Sequence, residues 1–121
     1  MKIKDKIAYV NNKYLPGLEH LNGGHYVYIH EDNMNGTCDV NVITSLEDRK
    51  NKFNSHKISH VKKGNTYSIP YYDANFLKWS GVTTTLIRNV PVDKLCNIGE
   101  KRIKDRHKFF IGKFCNKKWQ E

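Results

Sequence analysis

Apolar and polar residues alternate in short runs along this chain, and turn residues separate the runs. "KIAYV" (6–10) predicts a first strand. In "HYVYIHE" (25–31), Tyr26, Tyr28 and His30 alternate with Val27 and Ile29, a period of two that predicts a second. Asn35-Gly36 then supplies a strong hairpin-turn pair. "CDVNVITS" (38–45) sets Val40 and Val42 on one face, with Asp39 and Asn41 on the other. These two runs are expected to pair as an antiparallel hairpin.

Further along, "LEDRKNKFN" (46–54) is charged and predicts an exposed loop. "HKISHV" (56–61) and "TYSIP" (66–70) are shorter strand candidates, split by Lys63-Gly64-Asn65. "TTTLIRNV" (83–90) is rich in β-branched residues and predicts the last strand. Leu95, Ile98 and Ile103 then follow a helical spacing, which predicts a short helix. Short strands at close spacing point to a mainly β protein, a small antiparallel barrel with one or two short helices. A chain of 121 residues makes a single domain, 1–121.

Charge changes the picture more than hydrophobicity does. The formal net charge is +9, an excess that speeds encounter with polyanions and suits nucleic acid, although it also serves solubility. It is concentrated in the tail: from Glu100 to Lys118, Lys and Arg are interleaved with Phe109, Phe110 and Phe114, and Trp119 follows. Such a mixture can hold phosphates and stack unpaired bases. Equally, the phenylalanines can cap the barrel while the lysines face water. Three widely spaced cysteines, Cys38, Cys96 and Cys115, form no metal or redox motif and are expected as buried thiols. No apolar run approaches the roughly 20 residues of a membrane span, and the charged N-terminus lacks an apolar signal core. The expectation is a cytoplasmic protein.

No acyl-hydrolase elbow, P-loop or dinucleotide glycine pattern is present. His56 and His60 have a spacing that suits a metal on a helix. On the expected strand, four residues span about 13 Å, too far for one ion. RNA cleavage, by contrast, needs neither metal nor cofactor, because the ribose 2′-OH is a nucleophile already in place. The protein must align the phosphate, move protons and offset charge. Histidine suits the proton transfers, while hydroxyls with Arg or Lys suit the phosphate. Thr44 and Ser45 stand at a strand end with Arg49 and Lys50 just beyond, and His25 opens the preceding strand. In an antiparallel hairpin these groups meet at one mouth.

The order of these features resembles the MazF/PemK toxin family of small endoribonucleases. The residues that carry the likeness begin with "IAYVNNKYLPGLEHLNGGHYVYIHED" (7–32), where Gly17 and Glu19 fit a glycine loop and His20 stands where the family often has Gln. "VNVITS" (40–45), "SHV" (59–61) and "LIRNVPVDKL" (86–95) are similar to later family elements, so the likeness covers roughly 6–95, and 96–121 has no counterpart. It implies an SH3-like barrel, usually a homodimer, cutting single-stranded RNA without metal and leaving a 2′,3′-cyclic phosphate. It also implies an antitoxin partner, either an acidic protein or an RNA. Glu19, His20, Arg49, Lys50 and Arg88 are then expected to bind RNA, with His25, Thr44 and Ser45 catalytic. Gly17 to Gly24 would close over the substrate.

Two departures stand out. The family opens its second strand with Arg-Pro, and this chain has Gly24-His25. Pro91 occupies the place of an Asp that often follows Ile-Arg. Histidine can move a proton and carry charge, but it lacks the forked donors of arginine. Two other function classes therefore stand beside the ribonuclease. One is a non-catalytic nucleic-acid-binding module. The other is a protein-interaction domain whose positive surface docks an acidic partner.

Overall fold

A computed structural model describes residues 2–48, 50 and 52–114, with the backbone alone at 114. Five strands form one antiparallel sheet: β1 (Ile7–Asn11), β2 (Gly24–Asp32), β3 (Thr37–Ser45), β4 (Thr66–Ile69) and β5 (Ser80–Pro91). Two helices accompany them, α1 (Ser55–Lys62) and α2 (Asp105–Phe114). The spatial order is β1-β2-β3-β5-β4, and among the described residues β1 and β4 are unpaired edges, so the sheet stays open. Residues Tyr9 and Cys96 exchange backbone hydrogen bonds of 2.8 and 2.7 Å, which covers part of the β1 edge. No helix among the described residues is long and apolar enough to cross a membrane.

The β2–β3 hairpin forms as its alternation and Asn35-Gly36 turn predict, with Tyr26 opposite Ile43 and Val27 opposite Val42. Gly36 takes a left-handed conformation in that turn, at a φ of 86°. Both faces of the sheet are covered. Val10, Val27, Ile29, Val40 and Val42 pack on one side, and Ile7, Tyr28, Ile43, Val82 and Ile111 on the other. Asn41, expected on a polar face, is therefore fully buried. Its amide donates to the carbonyls of Thr83 and Thr85 at 3.0 and 3.5 Å, which makes that burial tolerable.

Four expectations need correction. Residues 56–61 form helix α1, not a strand. Asn54 caps it by accepting from the Lys57 N–H. Gly64, at a φ of 78°, closes it in a Schellman turn with Asn65 N–H on the His60 carbonyl. Leu95 and Ile98 lie outside any α-helix, and the C-terminal helix begins only at Asp105. Leu46 is buried, although its charged neighbours suggest an exposed loop. Cys38 is buried as expected, with its thiol pushed up to about 11 by burial and then by Asp32 and Asp39, but Cys96 is exposed. Cys115 lies outside the described residues, as do Trp119 and the Phe114 side chain.

α2 is held by a buried carboxylate rather than by phenylalanines. Asp73 accepts from Lys104, Arg106 and His107 at 2.9, 2.6 and 2.6 Å. Those donors, His107 first, hold its carboxyl well below the usual range. Phe109 and Phe110 remain exposed.

Candidate active site

The β3–β5 pairing breaks register in a way that opens one face. From Asn41 to Ile43, β3 advances two residues, while β5 runs from Leu86 to Val82. Thr83 to Thr85 therefore face Val42 alone, a surplus of two residues in which the Thr84 side chain is buried, and the Asn41 amide satisfies two carbonyls that the interrupted ladder leaves over. Thr83 and Thr85 consequently wall two adjoining hollows. One, of about 460 Å³, is also lined by Thr44, Lys57, His60 and Asn65. The other, of about 410 Å³, is lined by Pro16, Gly17, Leu18, His25 and Val42. Together they make one groove across β2, β3 and β5.

At one end stands His25. Its Nδ1 lies 2.6 Å from Asn12 Oδ1, and the Asn12 amide nitrogen donates to the Asn22 carbonyl at 3.1 Å. That second bond fixes which end of the buried Asn12 amide faces the imidazole. The Asn12 oxygen can only accept, so neutral His25 carries its proton on Nδ1 and presents a lone pair at Nε2. Burial, and then the positive charge of Lys57, lower the His25 pKa. The ring is thus neutral at pH 7, oriented, and equipped to accept a proton.

Lys57 reaches in from α1. Its Nζ donates to Thr44 Oγ1 at 3.0 Å and to the Ser45 carbonyl at 2.7 Å. An ammonium has three protons, so one donor is left for a ligand. Because Thr44 Oγ1 accepts from Lys57, its own hydroxyl proton is free to be given. Extending the Tyr26–Ile43 register by one residue sets His25 opposite Thr44, on the face of Val27 and Val42. An ammonium, a hydroxyl and a neutral imidazole converge on one groove, which suits a phosphodiester.

The remaining expected residues are placed differently. Ser45 Oγ donates to the Glu47 carbonyl at 3.0 Å and accepts from its N–H at 3.2 Å, so the hydroxyl shapes the turn that follows β3. Exposed Glu19 folds its carboxylate back onto the Gly17 N–H, and His20 is exposed in the same loop. That loop flanks His25 through Pro16, Gly17 and Leu18. Lys50 is exposed, with its N–H held by Asp48 at 2.8 Å. Arg88 follows groove-lining Ile87 on β5, and strand alternation turns it to the opposite face. Arg49 lies outside the described residues.

Sequence reasoning misses Asn12, Lys57 and the Thr83–Thr85 bulge, and weighs His60 only as a metal ligand and as part of the "SHV" likeness. The available signal was Asn54 and Gly64 bracketing a helix, which brings Lys57 and His60 to one side. The helix also reverses the distance argument against a metal there, since His56 and His60 come within 3.3 Å at Nε2. Among the described residues, however, no group of three His, Cys, Asp or Glu converges on one point. The pair offers two donors and no more. Neither the family models nor the curated proteins compared with this chain match it.

Proposed function

We propose that this groove binds single-stranded RNA and cleaves it by attack of a ribose 2′-OH on the adjacent phosphate, leaving a 2′,3′-cyclic phosphate. His25 Nε2 takes the 2′ proton. Lys57 and Thr44 donate to the non-bridging oxygens and offset charge as the phosphorus becomes five-coordinate. The loop from Gly17 to Gly24 borders the nucleotide beside His25, and no metal ion or cofactor takes part. The observation that carries this reading is the Asn12-oriented, neutral His25 beside the Lys57–Thr44 pair.

On the same reading, the open sheet is the SH3-like core of a MazF/PemK-type toxin. The order of strand, glycine loop, hairpin and closing strand supports this. The protein then acts as a homodimer restrained by an antitoxin, and the charge of +9 favours an acidic protein or an RNA in that role. His25→Ala is expected to slow cleavage by on the order of a hundredfold or more. Asn12→Ala, which frees the ring to turn, should cost on the order of a hundredfold. Single-turnover rates on a labelled RNA measure both, and a wild-type rate in His25→Ala removes it from the mechanism.

A second reading, binding without cleavage, has its own support. Phe53, Trp79, Tyr72 and Tyr71 form an edge-to-face row with centroid spacings of 5.9, 6.3 and 5.2 Å. Three of them, Phe53, Tyr71 and Tyr72, are exposed. Such a row can stack unpaired bases, and RNA that shifts in a gel yet stays intact would favour this reading.

A further inference from the structure

Transesterification at phosphorus has two proton problems, and His25 addresses only the first. The 2′ oxygen sheds a proton as it attacks, and the 5′ oxygen needs one as it departs, because an alkoxide is a poor leaving group. A groove that cuts RNA efficiently needs a donor on the far side of the phosphate from its base.

We infer that His60 is this second proton-transfer residue, an inference that rests on the RNA-cleavage reading above. His60 lines the hollow that holds Thr44 and Lys57, while His25 lines the adjoining one. Thr83 and Thr85 wall both. Lys57 is linked to both histidines: its charge is felt at His25, its ammonium holds Thr44, and His60 follows it by three residues on α1, on the same helical side, in the same hollow. A phosphate seated on Lys57 and Thr44 therefore has one imidazole on each flank, the arrangement that in-line displacement requires.

The neighbours of His60 fit the role. His56 presents Nε2 at 3.3 Å from His60 Nε2, with the rings perpendicular and their centroids 4.7 Å apart. A protonated His60 can donate Nε2–H to the His56 lone pair and retain Nδ1–H for transfer. The residues lining the hollow from β4, β5 and the turn before β4 are an amide and hydroxyls, Asn65, Thr66 and Thr83 to Thr85. Among the described residues there, Lys57 is the one permanent charge. No carboxylate in that lining competes for the proton.

The step balances without a further reactant. The 2′-O–P bond forms and the P–O5′ bond breaks. The 2′ proton passes to His25 Nε2, and the His60 proton passes to O5′. Exchange with water then restores both rings, and nothing is oxidised or reduced.

The test uses two RNA oligonucleotides of one sequence, one natural and one with sulfur replacing the bridging 5′ oxygen at the position wild-type protein cuts. A thiolate leaves without being protonated. With natural RNA, His60→Ala is expected to cut on the order of a hundredfold more slowly than wild type. With the sulfur-bridged RNA it should cut within about threefold of wild type, whereas His25→Ala stays slow on both. α1 contributes no buried residue to the core, so the variant should keep its fold, and a circular dichroism melt checks this. A His60→Ala rate equal to wild type on natural RNA overturns the inference and leaves the cleavage reading intact. Equal slowing on both substrates also overturns it, assigning His60 to binding. If wild-type protein cuts neither RNA, the cleavage reading falls and takes the inference with it.

Discussion

His25 is poised by two neighbours and by burial, each acting on a different property. Asn12 sets its tautomer, burial removes its stabilising water, and Lys57 opposes its positive form. Because the folded pKa is lowered, the unfolded chain binds the extra proton between that value and about 6.5. This contribution to stability is therefore full above pH 6.5 and shrinks as pH falls towards the folded value. The acid limb of kcat/KM should accordingly lie below pH 6.5. Lys57→Met removes one of the two causes and leaves burial, so it should move that limb to higher pH while also lowering the maximal rate. A pH–rate profile checks both effects, and an unmoved limb would mean that the two side chains do not interact. His25 was legible in the sequence as a candidate because it opens an alternating run opposite Thr44. Its orienter was not, since Asn12 follows β1 in a short 3-10 turn and reaches His25 only across folded structure.

Elements that carry their own hydrophobic period were readable, and the one that builds the site was not. β2 and β3 show period two and share an Asn-Gly turn, so both the hairpin and its register follow from local pattern. α1 has only Ile58 and Val61 as apolar residues and buries none, so no face announces a helix. Its caps were the signal. The β5 bulge was equally hidden, because three threonines read as ordinary strand and only the long-range register against β3 makes two of them surplus. Gly81, opposite Thr44, shows how tightly that region is set: a Cβ there would clash with Thr66 Cγ2 and meet Leu46 Cδ2 at 3.0 Å. Gly81→Ala should destabilise the protein by about 1–3 kcal/mol. Adding Thr66→Ser, which deletes the clashing methyl, should return part of that loss. Urea denaturation of the two single variants and the double variant measures the coupling.

For the whole molecule, a five-stranded sheet covered on both faces leaves one bulged window. The chain places an imidazole, an ammonium and a row of hydroxyls there. The mainly β class and the hairpin bearing His25 and Thr44 followed from sequence, whereas the expected closed barrel did not, because strand alternation is a local property and closure is not. The open sheet, the buried Asn41 and the reach of Lys57 did not, because each depends on residues far apart in the chain. The proposed activity is cleavage of RNA at this window by side chains alone. Its most direct test is to incubate the purified protein with a long single-stranded RNA in excess EDTA, beside His25→Ala and Thr44→Ala, and to identify the ends produced. Discrete fragments ending in 2′,3′-cyclic phosphate are expected, strongly reduced in both variants. RNA that stays intact at every time point, or fragments that His25→Ala makes as fast as wild type, would contradict the proposal.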